Sequence, residues 1–179
     1  MTNKMTEKIL QEFEKSSHSF LRNTAALDHY MTLLIFVHLF GKDSIKENNP
    51  LVEDFTKWFL ISPQHKISFG RKKTIFCDIF GKQEYTKYRD RYKNHLSKAT
   101  LTKLIDHRNL LAHSFYLKTK QTKSYIIESV WVTESSMKNS FKIDIDIAEH
   151  NKLLTQSTRT MKALHDLMID LGVLDASDK

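Results

Sequence analysis

Between Lys4 and Phe40 nothing interrupts a helix, and Ile9, Phe13, Phe20, Leu27, Met31, Leu34 and Ile35 recur at helical spacings. The pattern predicts one amphipathic helix that Gly41 ends. Its second half is apolar on several sides, as in a central helix touched by more than one neighbour. His18, His29 and His38 lie on it and are expected as packed, hydrogen-bonded core or boundary residues. Asn49 and Pro50 form an N-cap and N1 pair that opens a short helix through Ile61, stopping before Pro63, with Trp58 and Phe59 in the core. A third helix is expected from Phe69 or Arg71 to Phe80, turning Ile75, Phe76, Ile79 and Phe80 inward and ending at Gly81. Cys77 lies on this helix and reads as a small buried hydrophobe, since nothing nearby marks it as an activated thiol.

The stretch from Glu84 to Tyr116 reads as one long helix, or as two joined near Ser97 to Thr100, where Ser and Thr offer fresh N-caps. Leu117 to Ser124 is polar and basic and reads as a loop. The period then changes. Tyr125 to Val132 is rich in β-branched and aromatic residues, and Phe141 to Ile147 alternates strictly, so the two are expected to pair as strands. Their connection, TESSMKNS, is longer than a tight turn and leaves the register open. Asp146 with Glu149 resembles a capping box opening a last helix from Ile147 to Leu171, with Leu153, Leu154, Met161, Leu164, Met168 and Leu171 inward and Gly172 at its end. The fold class is therefore mainly all-α: a single helical domain over residues 1–179, a bundle carrying one late β-hairpin at about 124–147.

The chain has 179 residues, of which 40% are hydrophobic and 11% aromatic, enough for a packed core of ordinary size. With one cysteine it forms no internal disulfide, and an oxidising compartment is not indicated. The first residues, MTNKMTEKILQEFEKS, are charged throughout and lack the apolar run of a signal peptide. No apolar stretch is long enough to span a membrane, so a soluble, cytoplasmic protein is expected. The net charge of +7 and isoelectric point near 9.4 gather in Arg71-Lys72-Lys73, in Lys87 to Lys103, and in Lys118, Lys120 and Lys123. Such a surface attracts polyanions, chiefly nucleic acid, and it equally serves to solvate exposed helix faces.

One stretch carries chemistry. In His107-Arg108-Asn109-Leu110-Leu111-Ala112-His113-Ser114-Phe115, the helical period puts Leu101, Leu104, Ile105, Leu111, Ala112 and Phe115 on one face, with Arg108 in the middle of the stripe. A guanidinium there needs a partner, an anion or an interface. Asp106, Asn109 and His113 share an adjacent polar face. Arg108 and His113, five apart, diverge by roughly 140° on an ideal helix, so they meet one ligand only near a helix end, at a distortion or across two subunits.

The sequence RNLLAHS resembles the signature of the HEPN superfamily, small helical bundles whose ribonuclease members carry Arg, a polar residue, a spacer and His. The loose form of that pattern also matches Arg22 to His29, Arg89 to His95 and Arg159 to His165. The fuller Arg-Asn-x-x-Ala-His, its place late in a bundle and the stripe around Arg108 single out the fourth match. The resemblance covers this motif and its helix. It implies that Arg108 binds and polarises the scissile phosphate, that His113 is the general acid or base, and that Asn109 orients the imidazole or holds the phosphate. It further implies an endoribonuclease that uses no metal or cofactor, leaves a 2′,3′-cyclic phosphate and acts as a homodimer with two motifs facing one cleft. Toxin–antitoxin and phage-defence systems are the settings it suggests. HEPN toxins paired with a nucleotidyltransferase antitoxin carry x-Tyr after the His; here Phe115 holds that place and Tyr116 follows. The alternative is a non-catalytic helical dimer that binds RNA, a nucleotide or a protein partner; a purely structural reading makes Arg108 with Asp106 or Asn109 a buried polar clasp, with His113 satisfied by a backbone carbonyl.

The remaining constellations are thin. Asp144 and Asp146 share a strand face without a further ligand at metal spacing, His95, His107 and His150 form no metal motif, and no Gly-rich phosphate loop occurs.

Overall fold

The computed structural model describes residues 3–43, 50–57, 67–121, 125–131 and 141–175. Asn49, Trp58, Phe59, Lys123 and the TESSMKNS connection lie outside them. The described chain is a mainly α-helical bundle with β structure late in the sequence. Six α-helices are seen among the described residues: α1 (Asn3–Phe40), α2 (Pro50–Thr56), α3 (Phe69–Phe80), α4 (Thr86–Tyr92), α5 (Lys98–Ala112) and α6 (Ile147–Asp170). A 3-10 turn, Gln83–Tyr85, leads into α4. Three strands complete the order: β1 (Ser114–Gln121), β2 (Tyr125–Trp131) and β3 (Phe141–Asp146). No described helix is long and apolar enough to cross a membrane.

The helix ends follow from local chemistry. Gly41 stops α1 at a φ of +78°, a left-handed setting that residues with a Cβ avoid, and its N–H bonds the Val37 carbonyl at 2.9 Å. Ser68 caps α3 by accepting from the Arg71 N–H. Gly81 ends α3 as expected, with a φ of −72°. There the absence of a side chain matters for space, since a Cβ would lie 3.2 Å from the Cys77 carbonyl. Ser97 accepts from the Thr100 N–H at 3.1 Å and separates α4 from α5, so the long segment is two helices. Asp146 accepts from the N–H groups of Ala148 and Glu149 and starts α6.

The sheet holds more than a hairpin. All three strands are antiparallel in the order β1-β2-β3, with Ile127 of β2 opposite Ile145 of β3 and opposite Thr119 of β1. The helix expected to run to Tyr116 ends at Ala112, and the loop expected from Leu117 is strand as far as Gln121. Backbone pairing with β2 decides this, because it satisfies a row of N–H and C=O groups that a polar, branched-poor segment would otherwise leave to water. The ladder shifts register between Tyr116 and Lys118, an irregularity of the β-bulge kind.

The chain divides into two compact units. The first, residues 1–24 and 103–158, contains the sheet. Phe13, Phe20, Leu104, Ile105, Leu111, Ile127, Ile145 and Leu153 are buried in it. Asn23 donates to Ser157 and Thr158 at 3.0 Å each, joining its α1 and α6 segments. The second unit, residues 25–102 and 159–179, is helical among its described residues. Leu27, Met31, Leu34, Ile35, Phe76, Phe80, Leu101, Leu164, Leu167 and Met168 are buried there. Lys72 is also fully buried, and its Nζ bonds Asp28 Oδ2 at 2.8 Å. Cys77 is half-buried, and burial raises its thiol above the ordinary pKa, which keeps it protonated. Of the α1 histidines, His18 and His29 are exposed where packed positions were expected. His38 is half-buried between Lys82 and Glu84.

Candidate functional site

The RNLLAH stretch occupies the last turn of α5 and the turn into β1. Leu101, Leu104, Ile105 and Leu111 are buried as the apolar stripe requires, but Ala112 is exposed and Arg108 only half-buried. Arg108 therefore sits where cover runs out toward the helix end. The inward position is taken by His107, 8% exposed, which lies with Leu104 and Leu111 on the buried arc of the helix.

Arg108 and Asn109 are brought together directly: Arg108 Nη1 donates to Asn109 Oδ1 at 3.1 Å. The carboxamide oxygen thus holds the guanidinium. His113 lies in the turn after Ala112, exposed, with its backbone N–H still bonded to the Asn109 carbonyl at 3.2 Å. Ser114 Oγ takes the Leu110 carbonyl, one of the acceptors a helix end leaves open. The helix stops at Ala112, so His113 stands at a helix end, one of the settings in which it and Arg108 could serve one ligand. Asp106 is exposed, and with His107, Asn109 and Leu110 it lines a shallow depression of about 450 Å³. Arg108 and Asn109, joined side chain to side chain, and exposed His113 in the turn that follows are the polar groups of this helix end.

Behind this edge is an arrangement that sequence reading missed. His107 Nε2 and His150 Nδ1 are 2.9 Å apart, and His150 Nε2 is 2.9 Å from Ser16 Oγ, which donates to the Phe13 carbonyl at 2.8 Å. Hydrogen counting orders the chain while both rings are neutral. The single Ser16 hydroxyl proton goes to Phe13, so His150 Nε2–H must donate to Ser16. Its Nδ1 is then an acceptor, and His107 Nε2–H donates to it. Phe20 packs edge-on against His107 at 5.0 Å and Phe13 edge-on against His150 at 4.8 Å. Burial, and after it the proximity of His107, push His150 down to about 4. Burial also lowers His107, against a smaller opposing pull from Glu149. Both rings are thus kept neutral at physiological pH. The available signal was His107 at three and four residues from Leu104 and Leu111. Its partner, 43 residues along the chain, has no spacing that marks it.

Among the described residues no group of three metal-ligating side chains gathers. The other Arg…His matches bring no Arg and His of one match into a contact like that of Arg108 and Asn109; Arg89 instead donates to the Phe80 and Gly81 carbonyls. Compared with protein-family models, curated proteins and solved structures, the chain finds no match.

Proposed function

We propose that this chain is a metal-independent endoribonuclease of HEPN type, working as a homodimer in a toxin or phage-defence setting. The observation that carries the reading is the half-buried Arg108 clamped by Asn109 at the last turn of α5, with exposed His113 in the turn that follows. Arg108 presents a guanidinium fork to the non-bridging oxygens of a phosphodiester, and Asn109 keeps that fork in place. An imidazole takes the proton of the ribose 2′-hydroxyl as its oxygen attacks phosphorus. A second imidazole protonates the departing 5′-oxygen, leaving a 2′,3′-cyclic phosphate. One chain supplies one such histidine at this edge, and a second copy supplies the other. Exposed Ala112 beside half-buried Arg108 gives a small-residue surface on which two copies can approach. The basic chain supplies the field that draws RNA in.

Cleavage of mixed RNA in excess EDTA, with product ends checked for cyclic phosphate, tests the reading. Removing a general acid–base group costs about 10² to 10⁴ in rate, so His113→Ala should abolish detectable cleavage while RNA affinity stays nearly intact. Arg108→Ala should weaken cleavage and binding together. His29→Ala and His165→Ala should each retain cleavage. A divalent-ion requirement, activity surviving His113→Ala, or equal losses with the other histidines would refute the assignment. A chain that binds RNA without cutting it would then be a binding module.

A further inference from the structure

We propose a second ligand site, within the helical unit, that holds the phosphate backbone of an RNA strand. Two residues from different Arg…His matches, His95 and Arg159, line one open cleft of about 520 Å³ together with Arg91, Tyr92, Lys162 and Asp166. All belong to the unit of residues 25–102 and 159–179. The site does not depend on cleavage at His113.

One wall is built in advance. Arg91 Nη1 and the Tyr92 hydroxyl both donate to Asp170 Oδ2, each at 2.7 Å, so one carboxylate fixes both side chains. Burial, and the hydrogen bond to Asp170 after it, raise the Tyr92 phenol well above its ordinary range, so it remains a donor. His95 is half-buried, and its carbonyl accepts from Thr160 Oγ1 at 3.3 Å, tying the end of α4 to α6. The opposite wall, on α6, carries two cations and one carboxylate. Arg159 and Lys162 are exposed and three apart on α6, where like charges repel, and neither forms an ion pair among the described residues. Asp166 is the one acidic group lining the cleft, and its carboxylate lies 3.7 Å from His165 Nδ1. With Arg91 paired to Asp170, the cleft sets Arg159, Lys162 and the His95 imidazole against Asp166, a net positive balance that suits an anion.

Phosphate is the chemistry that suits guanidinium and ammonium groups in this array. The cleft is open to solvent and charged on both walls, which fits a strand laid across it better than an enclosed single nucleotide. Its cations contact phosphates, so recognition there is independent of base sequence.

The test is binding of a short 2′-O-methyl RNA oligomer, which lacks the 2′-hydroxyl nucleophile, to the full chain over a range of salt. Arg159→Ala with Lys162→Ala should weaken binding about five- to thirty-fold, the loss of two exposed phosphate contacts. The salt slope should fall by about 1.4, from about 0.7 per lost contact on a single strand. Asp166→Asn should tighten binding, an effect that a structural role for Asp166 would not produce. A matched loss of charge in the other unit, Lys15→Ala with Lys152→Ala, should leave affinity nearly unchanged; circular dichroism melts confirm that each variant is folded. No binding by the unaltered chain, an equal loss in both double variants, or an unchanged salt slope would overturn the site. Full displacement of the oligomer by adenosine monophosphate, with inorganic phosphate ineffective, would overturn the RNA reading in favour of a mononucleotide. Intact cleavage with lost cleft binding, or the reverse, separates this site from the His113 reading.

Discussion

Lowering the pH should destabilise the sheet-bearing unit through one buried ring. His150 is fully buried, linked to His107 and Ser16, and held down to about 4 against an ordinary value of 6.5. Between these values the unfolded chain holds a proton that the folded chain does not, so stability rises with pH across the window and is lost as pH falls through it. The contribution is complete above 6.5 and exhausted below about 4. The difference corresponds to about 3 kcal/mol, a large fraction of the roughly 5–15 kcal/mol that holds an ordinary domain folded. His107 is lowered as well and adds to the effect with the same sign. Urea unfolding of the whole chain from about pH 7 to about pH 4 reads this directly. His150→Gln is the matched comparison, since its carbonyl can accept from His107 and its amide can donate to Ser16 without titrating. Carboxylate titration is common to both chains and cancels in the difference. The Gln variant should lose about 3 kcal/mol of the acid dependence. Equal pH dependence in the two chains, or a His150 titration by NMR at the ordinary value, would refute the argument.

Phe20 is fully buried and packs edge-on against His107, so Phe20→Ala should cost about 3–5 kcal/mol in denaturant unfolding; a cost below about 1 kcal/mol would contradict that packing. The proposed dimer predicts sedimentation at twice 21.1 kDa, with Arg108→Ala shifting the population toward the single chain. A strict monomer at tens of micromolar, where weak dimers still populate, would count against it. His113→Ala should sediment as the unaltered chain does, which separates its expected loss of cleavage from a loss of assembly.

Helical periodicity carried most of the architecture. Phe13, Phe20, Leu27, Met31, Leu34 and Ile35 are all buried on α1, and Asp146 caps α6 as its spacing with Glu149 suggested. Local patterns went astray where distant partners decide. β1 reads as helix and then loop by composition, and only pairing with β2 makes it a strand. The stripe on α5 holds at Leu101, Leu104, Ile105 and Leu111 but not at Arg108 or Ala112. Arg108 was read as central, whereas packing turns His107 inward, to meet a histidine from α6. The residues Arg108, Asn109 and His113 were legible as a motif, but their geometry was not, because it depends on α5 stopping at Ala112. The cleft of His95, Arg159 and Lys162 escaped altogether, since its walls lie far apart in the sequence.

The buried ion pair of α3 has a different kind of consequence. The burial of Phe76, Ile79 and Phe80 is non-directional and by itself sets the position of α3 along its own axis less sharply than a charge pair does. Lys72 supplies that pair. A slide of about 5.4 Å would carry its ammonium away from Asp28 and leave a buried charge alone, at a cost of several kcal/mol. Replacing such a pair with apolar groups is often neutral for stability. Lys72 and Asp28 therefore act as a key in a slot: they add little to how firmly the helical unit holds together and much to which arrangement it adopts.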